Sequence, residues 1–323
     1  MRAGEMGAQP RDFIRRRLVG IAARGQKSAP GHQKTDPFFV EHAPCGARLL
    51  LSRRSREMVR GRLTLFVYHA SYMITRRSKA LGRKSAAVIG RVTLEIDGKT
   101  RVIPHLAFPS AHLRTPPLFN ARCRALGLNA VVVPWEVAPG DLALALLGLR
   151  TTSSVAGMIV TIPHKESVAP LCDRLEGIAA ELGVANIIRR TGEGELVGAL
   201  FDGKGFVTGL VGTGYDPAGK RVLLLGAGGA GTALAHALLE AGVAELVIAN
   251  RGRPRAERLA TRLRALFPGR AIAAGEADAT GMDLIANATS VGLDGDPGIP
   301  LDPMTIASSA CVADIIMKPA MTP

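Results

Sequence analysis

Short apolar runs and amphipathic stretches of helical period alternate along the chain from residue 91 onward. "RVTLEIDGKTRVI" (91–103) places two alternating runs around Asp97-Gly98, a hairpin signal. "PPLFNARCRALGL" (116–128) has a helical period and ends at Gly127, and "NAVVVPWEV" (129–137) reads as a strand. "PGDLALALLGLR" (139–150) is a helix with an acid near its start. "GMIVTIP" (157–163) is a strand again, "ESVAPLCDRLEGIAAEL" (166–182) a helix and "ELVGALFD" (195–202) a short strand. This alternation predicts an open α/β sheet with helices packed on it.

"GKRVLLLGAGGAGTALAHALLEAGVAELVIANR" (219–251) adds a more specific signal. An apolar strand runs into Gly226-x-Gly228-x-x-Gly231, which opens a helix, and a second strand ends at Asn250. This is the context of a dinucleotide-binding fingerprint. Gly226 permits the tight turn, Gly228 and Gly229 let backbone approach a pyrophosphate, and Gly231 seats the helix against the strand. The helix N-terminus then offers amides and a positive dipole end to phosphate.

The end of the second strand selects the cofactor. An acid there would take the ribose 2′-hydroxyl of NAD. The chain instead reads "IANRGRPRAER", with Arg251, Arg253 and Arg255 before the first acid, Glu257. Guanidinium groups suit a phosphate dianion, so the sequence predicts NADP, held by Asn250, Arg251 and Arg255 beside the glycines.

Composition divides the chain in two. The formal net charge is +14, but residues 1–91 carry 20 Lys and Arg against 5 Asp and Glu, whereas residues 92–323 carry 21 against 22. The excess therefore belongs to the N-terminal segment. It reads as a nucleic-acid arm, a targeting peptide, or a disordered or wrongly assigned start, and the last is favoured because no aromatic interleaving or binding motif accompanies the arginines. No apolar stretch approaches the ~20 residues that span a membrane. Cys45, Cys123, Cys172 and Cys311 match no metal or disulfide spacing. They predict reduced thiols in a cytoplasmic protein, with no metal site.

In "IVTIPHK" (159–165) the apolar run stops at Pro163 and delivers Lys165 to a sheet edge. A lone lysine there is ordinarily a surface charge. Five blocks change that reading. "AFPSAHLRTPPLFN" (107–120), "GMIVTIPHK" (157–165), "GVANI" (183–187), "GALFDGKGF" (198–206) and the set "GAGGAG", "ANR" and "NATSVG" (287–292) resemble, in order and spacing, the motifs of the shikimate/quinate dehydrogenase family. The resemblance covers about residues 92–323.

Beyond the basic segment at 1–91, it implies an N-terminal open α/β substrate domain at 92–205 and a Rossmann-type NADP-binding domain at 206–323. It also implies reversible alcohol/ketone interconversion on a small carboxylated ring, of the 3-dehydroshikimate/shikimate or quinate type. A binding protein that holds NADP without turnover is the alternative. Lys165 matches the family's catalytic lysine and Asp202 its partner aspartate. Alcohol oxidation needs a base near the hydroxyl while hydride leaves the same carbon. A carboxylate within hydrogen-bond reach favours the charged amine, so such a pair titrates as a unit.

Thr115, Thr161 and Asn186 match substrate-binding positions. Other positions depart from the pattern. Leu113 and Thr115 stand where the family has two carboxylate-gripping serines, Ile159 replaces an asparagine, Leu200-Phe201 replace Asn-Thr, and Met317 replaces a tyrosine. The chemistry is expected to be retained and the substrate contacts altered. His112 is open between a structural role and a substrate contact, and His164 reads as structural. Relative to the family the chain is expected to be C-terminally truncated, with a hinge at Gly203, Gly205 and Gly209.

Overall fold

The computed structural model describes residues 64–66, 95–319 and 322–323. Thr64–Phe66 form a short strand, β1. The first sheet is built from β2 (Arg101–Ala107), β3 (Ala130–Glu136), β4 (Gly157–Val160), β5 (Arg174–Leu175), β6 (Ile187–Arg190) and β7 (Leu196–Ala199). Its order is β3-β2-β4-β6-β7-β5. β2 runs parallel to both neighbours, β6 is antiparallel to β4 and β7, and β5 is parallel to β7. Helices α1 (Thr115–Ala125), α2 (Leu142–Thr151) and α3 (Ile178–Leu182) fall between these strands in the chain.

Helix α4 (Asp202–Gly212) leads into the second sheet, made of β8 (Arg221–Leu225), β9 (Glu245–Ala249), β10 (Ala271–Ala274), β11 (Leu284–Asn287) and β12 (Cys311–Asp314). With β1 the order is β1-β12-β11-β8-β9-β10, and every pairing is parallel. Helices α5 (Gly229–Glu240) and α6 (Arg253–Leu266) complete the alternation. β8 is buried along Val222–Leu225 because its two faces belong to different cores. Leu224 packs with Leu234, Leu238 and Ile248, while Leu223 and Leu225 pack with Ala249 and Ile285. The first sheet has its own core around Leu106, Leu146, Leu149, Met158 and Ile188. Full burial of each such side chain contributes about 1.5–3 kcal/mol.

Three expectations change. The 91–103 hairpin is not formed by the described residues. Asp97 caps a turn through its carboxylate, which accepts from the Lys99 amide at 2.9 Å and from Asn129 Nδ2 at 2.9 Å. The strand that follows pairs with two parallel neighbours, and residues 91–94 lie outside the described residues. The helix expected over 166–182 is broken. Pro170 sits in a 3₁₀ turn (Ala169–Leu171), and Asp173 takes the Leu196 amide at 2.7 Å and Arg150 Nη2 at 2.6 Å. That anchoring lays Arg174–Leu175 beside β7, and only Ile178–Leu182 turns helical.

Of residues 1–91, only Thr64–Phe66 are described, as a strand parallel to β12. The rest of that segment lies outside the described residues. Finally, Gly203, Gly205 and Gly209 stand inside the regular helix α4 rather than in a hinge. A Cβ on Gly203 would lie 2.0 Å from the Ala233 carbonyl oxygen, so glycine there lets α4 approach α5.

Candidate active site

The ends of β2 and β4 are held together past the last sheet pair. The Thr161 amide donates to the Leu106 carbonyl at 3.0 Å and the Phe108 amide to the Ile162 carbonyl at 3.1 Å. After Pro163 the chain folds back, with the His164 amide on the Thr161 carbonyl at 2.8 Å. His164 is fully buried and its Nε2 lies 2.8 Å from the Val137 carbonyl. A carbonyl only accepts, so Nε2 carries the proton. The imidazole pins this turn to the end of β3, the structural role the sequence suggested. Ala185 donates its amide to the Lys165 carbonyl at 2.9 Å. Lys165 is thus fixed by backbone on both sides.

Its ammonium meets a prepared partner. Lys165 Nζ donates to Asp202 Oδ2 at 2.5 Å, and both residues are buried. Asp202 opens α4, where the helix dipole favours a carboxylate. Its Oδ1 accepts from Asn186 Nδ2, and Asn186 Oδ1 accepts the Phe201 amide at 2.9 Å. Asn186, expected at the substrate, therefore orients the carboxylate. The hydroxyls of Thr115 and Thr161 make no hydrogen bond to the described residues. Both lie on the side of the sheet where β2 and β4 end, with Thr115 opening α1. Three exposed apolar side chains, Phe108, Ile162 and Phe201, stand next to these functional segments. His112 is buried, and burial lowers its pKa below the ordinary imidazole value. Asp294, paired with Lys318 at 3.0 Å, pulls that pKa the other way.

The second half of the site is a cradle. Gly226 follows β8 with φ +101°, a conformation other residues avoid. A Cβ on Gly231 would lie 2.0 Å from the Gly226 carbonyl oxygen, so the turn closes only with glycine. Asn250 Oδ1 accepts the Ala227 amide at 3.1 Å and its Nδ2 donates to the Gly252 carbonyl at 3.0 Å. Its polar atoms lock the loop to the end of β9. Gly228 caps α5 without any side-chain cap, which leaves the first amides of the helix for a ligand. This cradle fits dinucleotide phosphates.

Arg251 is exposed and pairs with no acid among the described residues. Arg253 is engaged by Glu257 at 3.1 Å and Glu276 at 2.9 Å. Arg255 pairs with Glu166, the residue after Lys165. The sequence reading missed Glu166, because nothing in its local pattern shows that it meets an arginine 89 positions away. The cradle also touches the loop that carries Lys165. A Cβ on Gly229 would lie 2.8 Å from Lys165 Cβ.

Cys123, Cys172 and Cys311 are free and buried, with burial pushing the Cys172 thiol up to about 12 and that of Cys311 to about 11. Cys45 lies outside the described residues. No described helix is long and apolar enough to cross a membrane, and no described cluster of His, Cys, Asp and Glu could hold a metal ion.

A parallel sheet with a glycine-rich strand-to-helix turn, set against a mixed sheet that presents a buried lysine–aspartate pair, defines a two-lobed dinucleotide-dependent oxidoreductase. Family models agree on both lobes. The shikimate dehydrogenase substrate binding domain matches residues 106–188, and the shikimate/quinate 5-dehydrogenase model matches residues 213–291. The chain is 40% identical over 238 residues to the shikimate dehydrogenase (NADP(+)) of Geobacter metallireducens, covering 71% of this chain and 82% of that one. Among solved structures, a shikimate dehydrogenase in complex with NADP+ superposes with a TM-score of 0.66 at 29% identity, over 72% of this chain and 82% of that one. The ligand-free 5-ketofructose reductase of a Gluconobacter strain superposes with a TM-score of 0.61 at 32% identity, over 70% and 82%. The chain belongs to the shikimate dehydrogenase family.

Proposed function

We propose that this chain is a cytoplasmic, NADP-dependent oxidoreductase that interconverts an alcohol and a ketone on a small carboxylated ring, of the 3-dehydroshikimate/shikimate or quinate type. The observation that carries the reading is the buried Lys165–Asp202 pair at 2.5 Å, on a loop pressed against the glycine cradle. NADP, when bound, supplies the hydride exchange. Lys165 gives a proton to the carbonyl oxygen in reduction and takes one from the hydroxyl in oxidation. Asp202 holds the amine in line, and Asn186 fixes the carboxylate. Thr115 and Thr161 supply hydroxyl contacts to the ring substituents. The Gly226–Gly231 turn, with Gly228 and Gly229, takes the pyrophosphate, and Arg251 and Arg255 take the 2′-phosphate. The free, buried cysteines support the cytoplasmic assignment.

The substrate contacts depart from the family at Leu113, Leu200 and Phe201. The test is therefore a panel. NADPH oxidation is followed with 3-dehydroshikimate, dehydroquinate and 5-ketofructose. Turnover of a ring ketone that Lys165→Ala abolishes is the expected result. Undiminished turnover in Lys165→Ala would remove the lysine from the chemistry.

A further inference from the structure

Glu166 and Arg255 meet at the place where the cradle opens. Glu166 Oε1 accepts from Arg255 Nη2, which joins the catalytic loop to the first turn of α6. A Cβ built on Gly228 would lie 3.9 Å from Arg255 Nη2 and 4.0 Å from Glu166 Oε1. The ion pair therefore stands over the residue that caps α5, beside amides that no side chain caps. A dinucleotide phosphate in this type of fold seeks the same amides. Carboxylate and phosphate compete there for one positive helix end and one guanidinium, and two anions held together repel.

We propose that Glu166 sets cofactor affinity: in the cofactor-free protein its carboxylate holds Arg255 over the glycine turn, and a phosphate of the cofactor displaces it. The inference rests on the NADP reading above. It also links cofactor binding to Lys165, because Glu166 is its chain neighbour and Lys165 Cβ already touches the cradle at Gly229. Release of Glu166 is then felt one residue from the amine.

The experiment is calorimetric titration of NADPH into the full chain, as wild type, Glu166→Gln, Arg255→Gln and the double variant. Both side chains are 46% exposed, so neither substitution strands a buried charge, and circular dichroism confirms folding. Removing the competing charge is expected to tighten NADPH binding about threefold to tenfold, the range for an exposed ion pair with added anion repulsion. In the Arg255→Gln background the same change should have less than about a twofold effect, since the guanidinium being contested is gone. Unchanged or weaker binding in Glu166→Gln, with wild type binding NADPH normally, overturns the proposal and leaves the NADP reading standing. Equal tightening in both backgrounds overturns the role of Arg255 in the exchange. Failure of wild type and all variants to bind NADPH overturns the cofactor reading itself, and this proposal with it.

Discussion

Lys165→Met should destabilise the protein more than it would if the lysine were a surface charge, and a second substitution should reverse the loss. Lys165 and Asp202 side chains are 10% and 3% exposed, and their 2.5 Å contact lies between the two sheets' loops. Removing one member of such a pair leaves a buried carboxylate without its ammonium, which typically costs about 3–5 kcal/mol. Asn186 still donates to Asp202 Oδ1, so the low end of that range applies. For a unit of this size, about 3 kcal/mol corresponds to a midpoint roughly 6–12 °C lower. Lys165→Met with Asp202→Leu removes both charges, and such replacements are commonly neutral or stabilising. The double variant should regain at least about 2 kcal/mol over the single one, a coupling that a cycle isolates. Urea unfolding of the four proteins, followed by far-ultraviolet circular dichroism, gives the numbers. All three variants should lose about 10²–10⁴-fold in turnover, the usual contribution of a positioned acid–base group. A double variant as unstable as Lys165→Met, or a Lys165→Met protein as stable as wild type, would refute the buried-pair reasoning. Stability and activity are predicted to part company here, because the double variant regains the first and not the second.

Replacing Arg251 by Ala, which removes the proposed charge-assisted contact, should weaken NADP about tenfold to a hundredfold with NAD nearly unaffected; equal weakening of both in fluorescence titration would make Arg251 a general phosphate residue. Gly231→Ala places a Cβ 2.0 Å from a backbone oxygen, which cannot swing aside, so NADPH binding should be lost and unfolding made easier by about 1–3 kcal/mol; a variant that binds normally would mean the turn is looser than it stands. Burial holds the His236 imidazole, edge-on to Phe267 at 4.9 Å, below its ordinary pKa, with Glu240 and Glu181 opposing. The unfolded chain then takes the proton first, so this contribution is complete above about pH 6.5 and is lost as pH falls below it. His236→Leu should flatten thermal stability between pH 7 and 5, and an unchanged or steeper slope would contradict the assignment.

The nucleotide-binding half was the more legible part of the chain. Its central strands are apolar over Val222–Leu225 and Leu284–Ala286 because both faces are covered, and its turn needs glycine for steric reasons that a sequence displays directly. The first sheet was less legible for equally physical reasons. Over 166–182 the apolar spacing suits a helix, yet Pro170 and the Asp173 carboxylate commit the segment to a turn and a strand edge. Helix periodicity reports which positions are apolar; it does not report that an aspartate will be claimed by a backbone amide 23 residues on. β6, unanticipated, lies between β4 and β7 and pairs antiparallel with both.

The site divides along the same line. Lys165 and Asp202 were found through motifs, since each motif fixes a residue to the end of an element. What each side chain does with its remaining polar atoms depends on neighbours that no motif names. Asn186 stands in a motif position expected to face the substrate, yet its amide goes to Asp202 and its carbonyl to the Phe201 backbone. Arg255 stands in a basic run that suits a phosphate, yet its partner comes from the other lobe. In both cases the sequence identifies a group able to make the contact, and tertiary structure decides which contact it makes before a ligand arrives. That order matters for Arg255 in particular. A cation already satisfied by a carboxylate must exchange partners to bind phosphate, so its measured affinity is a difference between two ion pairs and not the strength of one.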